Sequence, residues 1–246
     1  ANEYTDIYTM TEKIKYAIIG AGCMGQEHIK NIEIIDDAEV VALCDTSEKS
    51  IKESLDLLNN EVAIFDDYID LVESNIADAF IIATPNFTHI DVLKDVMKSE
   101  AHLLIEKPLC TTVKDCQEFE KLASDYPGVI WTAMEYRYMP PVQRMIKEIH
   151  NKTIGDLKML SIREHRFPFL HKVDDWNRFA IKTGGTLVEK CCHFFDLMRL
   201  IAQSDPTKVY ASGNQDVNHL DESYDGEIPD ILDNAFVIVD FENGVR

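Results

Sequence analysis

A short apolar run that ends in closely spaced glycines constrains the fold of this chain more than any other stretch. The run covers residues 16–19, and the glycines follow it as Gly20-x-Gly22-x-x-Gly25. This order is typical of a buried parallel strand that turns directly into a helix. The first glycine permits the tight turn, the second lets a pyrophosphate approach the backbone, and the third lets helix and strand pack closely. The pattern therefore predicts a phosphate-binding turn, with the N–H groups of the helix start facing the phosphates.

An acidic residue after the second predicted strand supports this interpretation, which needs support because such glycines also form ordinary turns. The apolar run of residues 39–44 ends in Asp45, which lies 25 residues after Gly20. A carboxylate there can accept hydrogen bonds from both ribose hydroxyls of a dinucleotide and would repel a 2′-phosphate. Alternatively, Asp45 caps the next helix, and one carboxylate can do both. We therefore expect NAD rather than NADP, bound at this end by Gly20, Gly22, Cys23, Met24, Gly25 and Asp45.

Further apolar runs alternate with amphipathic segments through the first half of the chain. The predicted strands are residues 63–65, 77–83, 102–105 and 129–133, and the predicted helices are residues 45–58, 68–72, 89–97 and 112–122. Such alternation predicts a doubly wound parallel sheet, whose ligand crevice lies beyond the carboxyl ends of its strands. Two polar groups follow strands in this way and are expected at the crevice: Thr84, Pro85 and Asn86, then Glu106, Lys107 and Pro108.

The pattern changes after about residue 136 and predicts a second, α+β domain. A predicted helix at residues 141–150 is followed by apolar–polar alternation at 156–166, 207–212 and 235–241, which favours an open, mainly antiparallel sheet. Residues 215–233 carry seven acids without Lys or Arg and are expected to be a solvated loop. The predicted domains are therefore residues 1–135 and 136–246. We also expect the chain to stop inside the second sheet, because an Asn243-Gly244 turn is followed by only two residues.

One predicted helix of the second domain, residues 187–202, carries a group of titratable side chains. Glu189 and His193 are four residues apart, and Asp196 is three further on, so we expect them on one helical face. A histidine titrates near neutrality and a carboxylate can orient it, which favours acid–base chemistry. The alternative is that these are solvated residues beside a core helix. Lys107 has the same two interpretations: a solvated lysine, or an ammonium that binds an oxygen changing from alcohol to carbonyl.

Composition limits the partners. The net charge of −20 disfavours nucleic acids and anionic membrane surfaces, and no apolar run reaches the length of a membrane span. The sequence shows no signal peptide and no C-x-x-C pair, so we expect reduced thiols and a cytoplasmic protein. Cys191, Cys192 and His193 are adjacent and would point in different directions on a helix, so we predict no metal site. The first fifteen residues are expected to form a loose arm.

Together, these motifs resemble the glucose–fructose oxidoreductase/inositol dehydrogenase (Gfo/Idh/MocA) family over residues 14–246. The resemblance rests on the glycine turn, on Ala83-Thr84-Pro85-Asn86-Phe87-Thr88-His89, on Glu106-Lys107-Pro108, and on Gly184-Gly185 followed by Glu189, His193 and Asp196. It implies an N-terminal Rossmann domain and a C-terminal α+β domain whose open sheet often mediates oligomers, hence a homodimer or homotetramer. It also implies oxidation or reduction of a sugar, a cyclitol or a related hydroxy compound.

The resemblance also implies roles for individual residues. Lys107 would position the substrate hydroxyl, His193 would accept its proton, and Glu189 stands where family members often carry aspartate. Glu189 would belong to the catalytic group with Lys107 and His193. The residues that would contact the cofactor are Thr84, Pro85, Asn86, His89, Glu106 and Lys107. Asp196, Arg137 and Trp176 are further candidates for substrate contacts. Two features depart from the family pattern: Cys191 replaces a small residue, commonly glycine, and Lys190 adds a cation.

Three functions are compatible with the sequence. The first is an NAD-dependent dehydrogenase, which the presence of both Lys107 and His193 favours. The second is a non-catalytic NAD-binding regulatory or interaction protein of the same fold, which needs neither residue. The third is an oxidoreductase that keeps NAD bound through two half-reactions.

Overall fold

The computed structural model describes residues 12–246, which form two compact units interleaved along the chain. The first unit contains the described residues up to Thr84, with Asp91–Ile105 and Lys121–Trp131, and the second contains Pro85–Ile90, Glu106–Glu120 and Thr132–Arg246. The division after residue 135 stays a prediction. Of the predicted arm, residues 1–11 lie outside the described residues, whereas residues 14 and 15 belong to the first strand.

A six-stranded sheet has the order β3-β2-β1-β4-β5-β6, and β1 pairs in parallel with β2 and β4. Its strands are β1 (Ile14–Ile19), β2 (Ala38–Cys44), β3 (Ala63–Phe65), β4 (Ala79–Ile82), β5 (His102–Ile105) and β6 (Ile130–Thr132). The helices along this part of the chain are α1 (Cys23–Ile32), α2 (Glu48–Leu55), α3 (Tyr68–Glu73), α4 (His89–Val96) and α5 (Val113–Ala123). The predicted doubly wound parallel sheet is therefore confirmed.

The centre of this sheet is apolar at consecutive positions. All four residues of β4 and the last three residues of both β1 and β2 are buried. Ile29 and Ile32 of α1 join Ile18 and Ile81 in one core cluster. Strands covered on both faces need apolar side chains at every position, which is why continuous runs identified them in the sequence.

The second unit contains a two-stranded antiparallel sheet, as the alternation at residues 207–212 and 235–241 predicts. Its elements are α6 (Pro140–His150), α7 (Ala180–Thr183), α8 (Thr186–Glu189), α9 (Cys192–Ala202), β7 (Pro206–Asn214) and β8 (Asn234–Phe241). Ala202, at the end of α9, packs with Val239 and Phe241 of β8 and with Val245. Among the described residues, no helix is long and apolar enough to cross a membrane.

The predicted strand at residues 156–166 is wrong, because this segment forms no named strand. Its ladder hydrogen bonds in the described chain are limited to Leu160 N to Arg246 O (2.8 Å) and Arg246 N to Lys158 O (3.2 Å). Alternation of apolar and polar residues indicates that one face of a segment is buried and the other exposed, but a strand also needs a pairing partner along its length.

The predicted continuous helix at residues 187–202 is also wrong, because it is broken between α8 and α9. In an unbroken helix the Glu189 carbonyl would accept the N–H of His193. Here it accepts a hydrogen bond from Lys107 Nζ instead, at 3.1 Å, and Lys190 ends α8 with φ −107°. Glu189 therefore does not share a helical face with His193 and Asp196.

Candidate functional site

The glycine turn of the first unit has the space that a phosphate needs. Gly20 has a φ of +98°, and a Cβ there would lie 2.6 Å from the carbonyl carbon of Ala83. A Cβ on Gly25 would lie 2.1 Å from the Gly20 oxygen, whereas a Cβ on Gly22 would meet nothing within 4 Å. Gly20 and Gly25 are thus required by the packing of the turn itself. The open position at Gly22, at the start of α1, fits the approach of a pyrophosphate.

The Asp45 carboxylate is fixed at the edge of this turn. It accepts hydrogen bonds from the backbone N–H groups of Ala21 and Ser47, each at 2.8 Å. Ser47, and not Asp45, caps α2, since its hydroxyl accepts the Ser50 N–H. The capping alternative for Asp45 is therefore wrong. A surface pocket beside Asp45 is lined also by Thr46, Glu48, Ile51, Leu55 and Asp66.

The residues predicted after β4 hold parts of the second unit together. Asn86 is buried, and its amide donates hydrogen bonds to the Glu189 carboxylate and to the Thr183 carbonyl. His89 is fully buried, with Nδ1 at 3.0 Å from the Pro108 oxygen and 3.3 Å from the Leu109 oxygen. His89 thereby fixes the segment that carries Lys107. The predicted cofactor contacts of Thr84, Pro85, Asn86, His89 and Glu106 stay predictions.

Lys107 and Glu189 form the centre of a buried polar cluster. Lys107 Nζ lies 3.1 Å from the Glu189 backbone oxygen and 3.8 Å from its carboxylate. Glu189 is 7% exposed, and Glu106, whose carboxylate accepts the Lys107 N–H at 3.2 Å, is 6% exposed. A buried carboxylate is stabilised by such an ammonium and by the Asn86 amide. The cluster brings together Lys107 and Glu189, a tertiary contact that the sequence analysis did not predict.

His193 lies in the same unit and is held as a neutral imidazole. Its ring is 1% exposed and stacks on Tyr136, with centroids 4.1 Å apart and an interplanar angle of 7°. Burial, helped by the charges of Lys107 and Lys190, lowers the pKa of His193 to about 4. Nε2 lies 3.4 Å from Glu135 Oε1, whereas Nδ1 is buried without a hydrogen-bond partner in the described structure. Among the described residues, Nε2 is therefore the ring nitrogen with a polar neighbour.

Glu135 is a site residue that the sequence interpretation missed. It follows β6 by three residues and begins the 3₁₀ segment Glu135–Tyr138. Burial raises the pKa of its carboxyl above the ordinary value. Its place just beyond the carboxyl end of a strand is the one signal that would have identified it.

The residues predicted to bind substrate make contacts within the protein. Arg137 forms a two-pronged ion pair with the Asp196 carboxylate. Trp176 is 8% exposed and packs edge-on against Phe87, with ring centroids 6.3 Å apart. Lys190, the extra cation, donates a hydrogen bond to the Tyr136 hydroxyl at 2.8 Å. The substrate roles of Arg137, Asp196 and Trp176 stay predictions.

Comparison with known proteins identifies the family. Residues 14–134 match the Gfo/Idh/MocA oxidoreductase family domain described as an NAD-binding Rossmann fold, and residues 146–246 match its C-terminal alpha/beta domain. The chain belongs to the Gfo/Idh/MocA family. The resemblance read from the motifs is thereby confirmed, as is the presence of an NAD-binding Rossmann fold.

Individual relatives within the Gfo/Idh/MocA family are distant. The chain is 30% identical over 235 residues to the uncharacterized oxidoreductase YrbE of Bacillus subtilis, covering 96% of this chain and 66% of that protein. It is 27% identical to myo-inositol 2-dehydrogenase of Thermotoga maritima, and the match covers 94% of this chain and 66% of that protein. The structure of GenD2 from gentamicin A biosynthesis in complex with NAD superposes with a TM-score of 0.80 at 18% sequence identity. The superposition covers 96% of this chain and 64% of that one. This chain thus spans just under two thirds of the length of these relatives.

Cysteines and metal-ligating groups complete the chemistry of the chain. All six cysteines are free thiols. Within residues 12–246, no group of three His, Cys, Asp or Glu side chains is arranged to hold a metal ion. Burial raises the pKa of Cys192, next to His193, to about 11, so this thiol is protonated at neutral pH.

Proposed function

We propose that this protein is an NAD-dependent dehydrogenase that acts on the CH–OH group of a sugar, a cyclitol or a related polyol. One observation carries the proposal: the half-buried ammonium of Lys107 acts by its charge on the buried, neutral imidazole of His193, and both belong to the second unit. Oxidation of an alcohol needs a donor that holds the oxygen and a base that takes its proton. NAD, when bound, accepts the hydride of the substrate C–H bond.

The side chains of the cluster have separate roles in this reaction. Lys107 donates a hydrogen bond to the substrate oxygen and stabilises the negative charge that develops on it. His193 accepts the hydroxyl proton at Nε2 and becomes an imidazolium. Glu189 positions Lys107 through its carboxylate and its backbone oxygen. Because the pKa of His193 is lowered, the base is already unprotonated at neutral pH.

The decisive experiment compares Lys107→Met and His193→Ala with the wild type. NADH absorbance is followed in a screen of sugars, inositols and sugar acids, and NAD affinity is measured by titration calorimetry. We expect each variant to lose turnover by about 10²–10⁴-fold and to keep its NAD affinity. Lys114→Met, the same change on the exposed face of α5, serves as the control and should keep full activity. Unchanged turnover in both Lys107→Met and His193→Ala would refute the assignment, and NAD binding with no turnover of any compound would favour the regulatory alternative.

The cofactor preference and the assembly are part of the same proposal. Asp45 and its acidic neighbours Glu48 and Asp66 support NAD over NADP, because a 2′-phosphate would be repelled there. Phe236 and Ile238 of β8 are 83% and 61% exposed, so the sheet offers an apolar face for a homodimer or homotetramer. Light scattering after size-exclusion chromatography tests the assembly, and the mass of a single subunit would contradict it.

A further inference from the structure

Glu135 faces the reacting base but has no part in the roles assigned to Lys107, His193 and Glu189. Its carboxylate lies 3.4 Å from His193 Nε2, the nitrogen that would take the substrate proton. The Glu135 side chain is 56% exposed, so the carboxylate meets both the buried imidazole and the space outside it. The stacking of the next residue, Tyr136, on the His193 ring fixes this arrangement. A substrate whose hydroxyl reaches Nε2 must therefore come close to Glu135.

The two cations whose charges act on His193, Lys107 and Lys190, already have acidic partners. Lys107 pairs with Glu189 at 3.8 Å, and Lys190 pairs with Glu164 at 3.7 Å. Arg137, two residues after Glu135 in the sequence, pairs with Asp196 through two hydrogen bonds.

Glu135 differs from these acids. Within the described residues its ion-pair contact is with His193, which is neutral at pH 7 because its pKa is lowered. The charges of Lys107 and Lys190 act on the Glu135 carboxylate, but among the described residues neither lysine forms an ion pair with it. Among the described residues, Lys107, Lys190 and Arg137 could each receive an anionic group of a substrate only by giving up an existing acidic partner.

We propose that Glu135 is a specificity-determining residue that excludes anionic substrates and favours neutral polyols or those with an amino group. The inference rests on the proposed dehydrogenase function and narrows its substrate class. A like charge held several ångströms from a carboxylate at a partly exposed site is disfavoured by about tenfold, and an opposite charge is favoured by a similar factor. The carboxylate also offers an acceptor to the hydroxyl or ammonium hydrogens of a bound substrate, which a carboxylate group on the substrate lacks.

The test uses three sugars that share one ring and differ in charge: glucose, glucuronate and glucosamine. The variant is Glu135→Gln, which keeps the shape of the side chain and removes its charge. Glu120→Gln, the same change at an exposed position of α5, is the control. NADH formation gives kcat/KM for each sugar at about pH 7, and titration calorimetry on the NAD-bound protein gives the affinities without requiring turnover.

We expect the wild type and Glu120→Gln to discriminate against glucuronate relative to glucose, and Glu135→Gln to reduce this discrimination by about tenfold. In Glu135→Gln, the ratio of kcat/KM for glucosamine to that for glucose should fall by a similar factor. A wild type that accepts glucuronate as well as glucose overturns the inference, and so does an unchanged ratio in Glu135→Gln. If no sugar is oxidised, the dehydrogenase proposal fails by itself, and the calorimetric ratios still decide the role of Glu135. Failure to bind any of the three sugars overturns the role of Glu135.

Discussion

Substitution of Gly25 and of Gly22 by alanine should have different effects, because a Cβ meets different surroundings at the two positions. In Gly25→Ala the new Cβ would lie 2.1 Å from the Gly20 oxygen and 3.3 Å from Ile18 Cγ2. Neither a backbone oxygen nor a core isoleucine can give way cheaply, so α1 must shift away from β1. Overpacking of this kind costs about 1–3 kcal/mol, and the closeness of the backbone contact places Gly25→Ala at about 3 kcal/mol.

Gly22→Ala should behave in the opposite way. Gly22 has φ −75° and ψ −161°, an extended conformation open to alanine, and its Cβ would meet nothing within 4 Å. The free energy of unfolding should stay unchanged or rise by about 0.4–1 kcal/mol, because alanine restricts the unfolded chain. If the pyrophosphate of NAD approaches the backbone here, the methyl group will weaken binding at least about tenfold, or about 1.4 kcal/mol.

Two measurements on the two variants separate an effect on stability from an effect on NAD binding. Urea unfolding followed by circular dichroism gives the free energy of unfolding, and titration calorimetry gives the Kd for NAD. Each variant is the control for the other: Gly25→Ala should lose stability, whereas Gly22→Ala should lose affinity alone. A Gly22→Ala protein that binds NAD as the wild type does would show that the phosphates do not lie against Gly22. A Gly25→Ala protein of normal stability would refute the packing argument.

Three further predictions follow from charges in the structure. Since His193 must be neutral to accept a proton and its pKa is lowered from 6.5 to about 4, kcat/KM for oxidation should stay flat from about pH 8 down to about pH 5; a loss centred near pH 6.5 would contradict this. Burial opposes ionisation of Glu222, but hydrogen bonds from His219, Tyr224 and the 1%-exposed Arg178 outweigh it and lower its pKa from 4.5 to about 2. The ionised Glu222 carboxylate should therefore stabilise the fold fully above about pH 4.5, and this stabilisation should disappear as the pH falls towards 2. Glu222→Gln should lower the free energy of unfolding at pH 7 by about 3 kcal/mol, measured by urea titration. Asp45→Ser should raise the ratio of kcat/KM for NADP to that for NAD, and an unchanged ratio would remove Asp45 from cofactor selection.

The first sheet was predictable because its signals are local. Strands β3 and β5 begin and end at the residues that their apolar runs predict, and β4 is shorter than its run by two residues at the start and one at the end. Both faces of such strands are buried, so apolar residues at every position leave little ambiguity. The alternating segment at 156–166 could not be settled in this way, because alternation does not reveal whether a partner strand lies beside it.

The site was predictable in its residue types more than in its contacts. Lys107 and Glu189 form a contact that the sequence did not predict, and Asp196, a candidate for substrate contacts, is ion-paired with Arg137. Glu135 was missed because an isolated glutamate after a short strand resembles any solvated acid. Its significance comes from a 3.4 Å contact with His193, 58 residues further along the chain.

The break between α8 and α9 shows why spacing along the sequence was not enough. Residues 187–202 have helical periodicity, and four-residue spacing predicted one helical face for Glu189 and His193, which lie in α8 and α9 instead. At the break, the Glu189 carbonyl that a continuous helix would use accepts a hydrogen bond from Lys107, which lies 82 positions away. Without the Glu189 backbone oxygen as an acceptor, the Lys107 ammonium would keep only its contact with the Glu189 carboxylate, at 3.8 Å, inside a largely buried cluster. The helix break is therefore part of how the chain holds Lys107, and neither feature can be derived from its own segment.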